Sequence, residues 1–285
     1  MSYEGNENSE NKIKRRIKQK QLERTVRKGQ IGLNRFRVFL RIASIILLIM
    51  LGYKVLKFHG WYLNKSVFNT PENNYLKIYN NKITPDYKIL GALRQVSIPN
   101  HPLYMINPKI FEDSIKNLEP VKNVFVKRYF HPARLYVYVE EREPIFVISP
   151  DEDAPAIAFF TNDGQLIGRE YMPLPQNYKT YTILTYGNRG DDYHQWTKEK
   201  ILKLYALAKM IEKETNQKLL YMDMRNPNDI YVQIESVKVR IGELNNTLAE
   251  RVKRISKIDE MMENIDKPIK YIDLSWDDTT YIKHD

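Results

Sequence analysis

Histidines and carboxylates are the residues best suited to move protons or hold metals, and this chain places them poorly for either task. His59, His101, His131, His194 and His284 are scattered, with no paired spacing suited to a metal or a proton relay. Adjacent carboxylates occur as Asp191-Asp192, Glu140-Glu141 and Asp277-Asp278, in turns or at strand ends. An acid/base dyad needs burial and opposed surroundings, which neighbouring exposed residues rarely have. Asp151-Glu152-Asp153 could ligate a cation, but in a loop ending Ala154-Pro155 it reads as solvated surface. No Gly-x-Ser-x-Gly, phosphate-cradling loop or Gly-x-Gly-x-x-Gly occurs, and 11 glycines are few for a nucleotide enzyme. The absence of cysteine removes disulfides, zinc–thiolate sites and thiol catalysis, and is compatible with either side of a bacterial membrane. The expectation is a protein that is not an enzyme, with no cofactor, no metal and no small-molecule substrate.

Charge tells more. The formal net charge of +10 is concentrated at one end: residues 1–41 carry twelve Lys or Arg against four Glu, leaving 33 basic and 31 acidic residues for the rest. A duplex-binding protein carries its basic stripe on the folded domain, so no nucleic acid is expected as a partner. The basic stretch precedes an apolar one. Ile42, Ile45, Ile46, Leu47, Leu48, Ile49, Met50 and Leu51 lie in an uncharged run from Ile42 to Tyr53. That run alone is too short, since about twenty residues are needed to cross about 30 Å of hydrocarbon. Extension to residues 36–58 adds Val38, Phe39, Leu40, Val55 and Leu56, while Arg37, Arg41, Lys54 and Lys57 sit at the ends, where long basic side chains reach the interface. Trp61 and Tyr62 supply an interfacial aromatic belt. Lys54, Lys57 and His59 replace the small-x-small site of a cleaved signal peptide, so the segment reads as a signal anchor in the lipid bilayer, with the basic N-terminus cytoplasmic.

The remainder reads as α+β. Residues 1–35 form a basic cytoplasmic tail, with 1–34 disordered apart from a basic helix near Ile13–Val26. Residues 36–58 are the transmembrane helix and 59–74 a juxtamembrane linker. Within 75–148 the order is strand, helix, helix, strand, strand. A strand at Leu76 and Ile78 ends in an Asn80-Asn81 turn; Thr84-Pro85 and Asn107-Pro108 start helices; Val124, Val126 and Arg128 lie on one strand, and Leu135, Val137 and Val139 alternate with Tyr136 and Tyr138 on the next. The helices share one sheet face, and the other is expected to stay partly open through Tyr136 and Tyr138. Residues 149–276 are β-rich with flanking helices. Strands are expected at Ile157–Phe160 and Gln165–Gly168 around an Asn162-Asp163-Gly164 turn, then at Thr180–Tyr186, Leu219–Met224, Ile230–Glu235, Val237–Ile241 and Tyr271–Leu274. Helices are expected over Thr197–Thr215 and Thr247–Ile265, and 277–285 is a polar tail.

From Val121 to Pro144 the chain carries Val124, Val126, Arg128, Pro132, Glu141, Arg142 and Pro144 in a pattern that resembles the second half of a POTRA domain of the FtsQ/DivIB cell-division family. The closing Ile272-Asp273-Leu274 is similar to that family's late Ile-Asp-Leu strand. Two departures stand out: Asn80-Asn81 replaces a usual Gly-Asn, and Ser275-Trp276 stands where an Arg commonly follows. The resemblance implies a small POTRA-type α/β domain followed by a β-rich domain, held outside the bacterial plasma membrane at the division septum. It implies a non-enzymatic divisome scaffold that couples the cytoplasmic division ring to septal peptidoglycan synthesis, with FtsB- and FtsL-like bitopic proteins as partners. The alternatives are a membrane-anchored envelope enzyme acting on peptidoglycan and a POTRA-bearing transport or assembly factor. Tyr271, Ile272, Asp273, Leu274, Ser275 and Trp276, the last expected strand, are the candidate partner-binding edge, where a partner segment could add as an extra strand; a strand fully paired within its own sheet is the alternative.

Overall fold

The computed structural model describes residues 4–71, 73–187, 192–258, 268–276 and 279–284. It is a mixed α+β protein with a long N-terminal helix and a β-rich body, in two units, residues 1–62 and 63–285.

In the first unit, one helix, α1, runs from Glu4 to Leu56. No proline interrupts it, and its basic half is rich in Lys, Arg, Glu and Gln, which lose little side-chain freedom in a helix. The segment Leu22–Leu56 is long and apolar enough to cross a membrane. Once started there, the helix gains a hydrogen bond for each further residue it orders, so the charged half follows. This corrects the expectation that 1–34 is disordered outside Ile13–Val26. The anchor residues Ile42, Ile45, Ile46, Leu47, Leu48, Ile49, Met50 and Leu51 are all exposed. After α1 the chain makes a 3-10 turn, His59–Trp61. The last carbonyls of a helix have no donor within it; here the Trp61 indole N–H donates to the Val55 carbonyl at 2.8 Å and the Tyr62 hydroxyl to that of Leu56 at 3.2 Å.

The second unit begins with β1 (Leu76–Tyr79), α2 (Asp86–Gln95), α3 (Lys109–Lys116), β2 (Val121–Phe130) and β3 (Ala133–Glu141). The order is the expected one. The sheet runs β1-β3-β2, with β1 parallel and β2 antiparallel to β3. Asn80, at φ 67°, takes the left-handed conformation that ends β1. Asn107 accepts a hydrogen bond from the Lys109 N–H at 3.1 Å to start α3. Ile89, Leu90 and Leu93 of α2 with Phe111 and Ile115 of α3 bury against Val121, Val126, Leu135, Val137 and Val139. Leu63 and Phe68 join that core, Phe68 from a 3-10 turn at Lys65–Asn69. Residues 63–69 are therefore part of the folded body, not of a linker spanning 59–74. Their signal was only three apolar residues, Leu63, Val67 and Phe68, in a polar stretch.

The larger sheet has nine strands: β4 (Pro144–Ser149), β5 (Ala158–Thr161), β6 (Leu166–Ile167), β7 (Tyr181–Leu184), β8 (Leu219–Asp223), β9 (Ile230–Ile234), β10 (Lys238–Gly242), β11 (Ile269–Asp273) and β12 (Tyr281–His284). Their order is β12-β11-β10-β9-β8-β7-β4-β5-β6. The β4 strand pairs with β5 and β7, so the break between sheets falls before Pro144 rather than after residue 148. Gly164, at φ 84°, occupies the turn between β5 and β6. Helix α4 (Lys198–Thr215), capped by the Thr197 side chain, buries Ile201, Leu204, Ala208 and Ile211 with Met222, Val232, Val239 and Ile272 of the sheet. Helix α5 (Leu248–Lys253) continues as a 3-10 turn, Arg254–Lys257, and residues 259–265 of the expected helix lie outside the described residues. The expected polar tail over 277–285 is corrected by β12, which gives β11 a partner on its outer side.

Candidate partner-binding edge

The β11 strand is interior. It pairs in parallel with β10, Val239 opposite Ile272 and Arg240 opposite Asp273, and antiparallel with β12, Tyr271 opposite Lys283 and Ile272 opposite Ile282. Ile272 and Leu274 are fully buried in the main core, while Trp276 beyond the strand is 60% exposed. The stretch Tyr271–Trp276 is thus not an edge, which corrects the expected site. Residues with chain neighbours on both sides have no unpaired backbone groups left to offer. The edge belongs to β12, whose residues are exposed or half-buried.

Several side chains hold this corner in place. The Arg240 guanidinium donates to both Asp229 oxygens at 2.6 and 3.1 Å and to Asp273 Oδ2 at 2.8 Å, tying the loop before β9 to β10 and β11. Asp273 Oδ1 accepts from the Ser275 N–H at 2.9 Å and its hydroxyl at 2.6 Å. Burial alone would raise the Asp273 carboxyl; the hydrogen bonds from Ser275 and Arg240 outweigh it and hold the group below its ordinary range. Ser275 therefore caps the strand end. Arg254 donates to the carbonyls of Leu274 (3.0 Å), Trp276 (2.5 Å) and Thr279 (3.2 Å), tying these three residues to the 3-10 turn after α5. Arg251, 2% exposed, donates to the Ile241 and Glu243 carbonyls at 2.6 and 2.7 Å. Gly242 lies beside it at φ 72°, and a Cβ there would come within 2.8 Å of Arg251 Nη1. Neither Arg251 nor Arg254 stood out in the sequence, because nothing local marks an arginine that will meet carbonyls from another strand.

The residues of the Val121–Pro144 pattern turn out to be fasteners. Glu141 accepts from three successive backbone N–H groups, Lys82, Ile83 and Thr84, at 2.7, 2.8 and 2.6 Å, fixing the loop before α2. Arg142 pairs with Asp163 and donates to the Glu119 carbonyl. Arg128 donates to the carbonyls of Leu103, Tyr104 and Ile106. Val126 and Pro144 are buried, Val124 is half-buried, and Pro132 lies in the two-residue β2–β3 turn. Glu141 and Arg142 both turn toward neighbouring loops.

The carboxylates are similarly engaged. Glu140 pairs with Lys122 at 2.8 Å, Asp151 with Arg225 at 3.1 Å, and Glu152 accepts from the Tyr221 hydroxyl at 2.7 Å. Asp192 pairs with His194 at 2.7 Å; Asp191 and the Asp277-Asp278 pair lie outside the described residues. Among the described residues no group of three His, Asp or Glu is placed to hold a metal ion. One open cleft of about 750 Å³ is lined by Glu199 of α4 and Glu243 of the loop after β10. Both are exposed, and a hydrogen bond from Lys203 pushes the Glu199 carboxyl down, opposite to what a general acid needs.

A second surface stands out on the small sheet, on the face away from α2 and α3. Cross-strand neighbours form rows: Tyr79–Tyr138–Phe125, then Lys77–Tyr136–Lys127, then Arg134–Tyr129. Tyr79 and Tyr138 stack at 5.0 Å, and Tyr129 packs on Tyr136 at 4.6 Å. Lys77 lies over Tyr136, and Lys127 and Arg134 over Tyr129. The openness expected from Tyr136 and Tyr138 is seen, on a larger scale and with a basic rim. The chain matches no protein-family model and no curated protein sequence.

Proposed function

We propose that this chain is a membrane-anchored, non-enzymatic scaffold of the bacterial divisome, of the kind its FtsQ/DivIB-like pattern implies. In this reading α1 holds the body outside the plasma membrane with the basic N-terminus cytoplasmic, and the β1-α2-α3-β2-β3 unit is a POTRA-type domain. The large sheet recruits bitopic partners of the FtsB and FtsL kind. One observation carries the binding role: among the described residues the sheet ends on β12, a short strand of exposed and half-buried side chains with no strand on its outer side. Such an edge accepts an extended partner segment through main-chain hydrogen bonds. The binding segment accordingly moves from Tyr271–Trp276 to Tyr281–His284.

The move changes the experiment. Substitution at Ile272 or Leu274 would break the core rather than probe binding, since both are fully buried. Ile282→Pro and Lys283→Pro are the informative variants; each should abolish pull-down of an FtsB-like partner while the melting profile of the body stays near wild type. Undiminished pull-down with both removes the strand-addition reading. A tagged copy should collect at the septum, and depletion should give filaments; normal division on depletion removes the divisome role. An envelope enzyme has one observation in its favour, the cleft shared by Glu199 and Glu243. Peptidoglycan hydrolysis lost in Glu243→Gln would establish that reading instead.

A further inference from the structure

We propose that the outward face of β1, β3 and β2 docks on the anionic phospholipid surface of the bilayer in which α1 is anchored, an inference that rests on the membrane-anchored reading above. Three cations crown this face: Lys77 and Lys127 exposed, Arg134 half-buried. Its acidic residue among those described, Glu140, is already matched by Lys122 and by Asn123. The face therefore presents net positive charge to anything that approaches it. Phe125 is 61% exposed in the row next to the lysines, an apolar ring with no polar atom to justify its place in water. Basic groups interleaved with Tyr and Phe are the composition that settles at lipid head groups, where cations meet phosphates and rings sit at the acyl boundary.

The packing of the rings selects among anionic or aromatic-seeking partners. A glycan needs open ring faces to stack on, but Tyr79 and Tyr138 stack on each other, as do Tyr129 and Tyr136 more obliquely. The paired rings offer fewer free faces to a sugar, while the exposed ammonium groups of Lys77 and Lys127 suit phosphate. Chain length supplies the bilayer. The last residue of α1 is Leu56 and the first core residue of the body is Leu63, so the connection spans at most about 25 Å even when fully extended. A body tethered that closely stays near the lipid surface at high effective concentration, so weak contacts suffice.

The test uses the full chain in nanodiscs. The chain has no cysteine, so Asn123→Cys on this face gives a unique attachment point for a polarity-sensitive dye. In discs containing about half phosphatidylglycerol the dye emission should shift to the blue; in discs of phosphatidylcholine alone it should not. Neutralising Lys77, Lys127 and Arg134 to Gln should lower the docked-to-free ratio by roughly fivefold per cation. Lys127→Gln alone, at an exposed position, keeps the result readable should the triple variant misfold. An aqueous dye in phosphatidylglycerol discs overturns the proposal while leaving the anchor intact. A shift produced in phosphatidylcholine discs by a soluble glycerol-phosphate polymer, and not by anionic lipid, overturns it in favour of a free polyanion. Failure of the chain to co-purify with discs removes the anchor, and the docking with it.

Discussion

Two strands of this protein have the same neighbours and different security. The β3 strand lies between parallel β1 and antiparallel β2; β11 lies between parallel β10 and antiparallel β12. The outer partner of β3 arrives through a two-residue turn, pairs along nearly the whole strand and buries Val121 and Val126 in its core. The outer partner of β11 is four residues long, and its burial reaches only half-exposed positions such as Ile282. A strand contributes by what it buries as much as by its ladder. The same topology therefore yields a permanent wall in one place and a lightly held margin in the other.

The largest expected effect is an asymmetry between matched substitutions. Val126→Asp should cost about 4 kcal/mol or more by placing an unpaired charge in the core, while Ile282→Asp should cost under about 1.5 kcal/mol. Urea unfolding of the detergent-solubilised chain, followed by far-ultraviolet circular dichroism, measures both; similar losses would end the comparison. Next comes Glu141→Ala, which strands three loop amides and should cost about 2–3 kcal/mol. Its counterpart at the margin, Arg254→Ala, should cost about 1–2 kcal/mol and raise the proteolytic susceptibility of the segment between β11 and β12. A double-mutant cycle on Arg240→Ala and Asp273→Asn should return a coupling of about 1 kcal/mol, modest because Arg240 is partly open to solvent.

Acid should act on the margin in a definite direction. The Asp273 carboxyl is held below its ordinary range when folded, so its contribution is full above the unfolded value, about 3.9, and is lost as pH falls through the lower folded value. Asp223, held down by Arg225 and Lys238 against its own burial, follows the same sign. Melting temperature of Asp273→Asn should therefore approach that of wild type at pH 3 while lying below it at pH 7. Smallest of all, Lys203→Gln removes a fully exposed helix pair with Glu199 and should leave the melt unchanged.

The security of each region also governed how readable it was. The β2–β3 hairpin declared itself through Leu135, Val137 and Val139 alternating with polar and aromatic residues, because one face must be buried. The helices of the small sheet were marked by Pro85 and Asn107-Pro108, chemistry that acts within a few residues. The β12 strand was missed because Tyr281–His284 is too short to show a period and buries too little to need one. The N-terminal half of α1 was misread for a different reason: its charge suggested disorder, whereas its lack of breakers left the apolar half free to extend it. The roles of Glu141, Arg251 and Arg254 depend on backbone groups brought close only by folding, so no local pattern encodes them. The expected sheet edge fell one strand inward for the same cause, since an edge is defined by what lies beyond it.

The three amides gathered on Glu141 have a consequence for the timescales of this molecule. Lys82, Ile83 and Thr84 belong to no helix or strand, and an irregular loop would ordinarily trade its amide hydrogens with solvent quickly. A shared carboxylate on β3 makes their release conditional on opening the small sheet itself. In hydrogen–deuterium exchange these three positions should keep pace with the strand amides of β3, and a loop would then report the global opening of the domain.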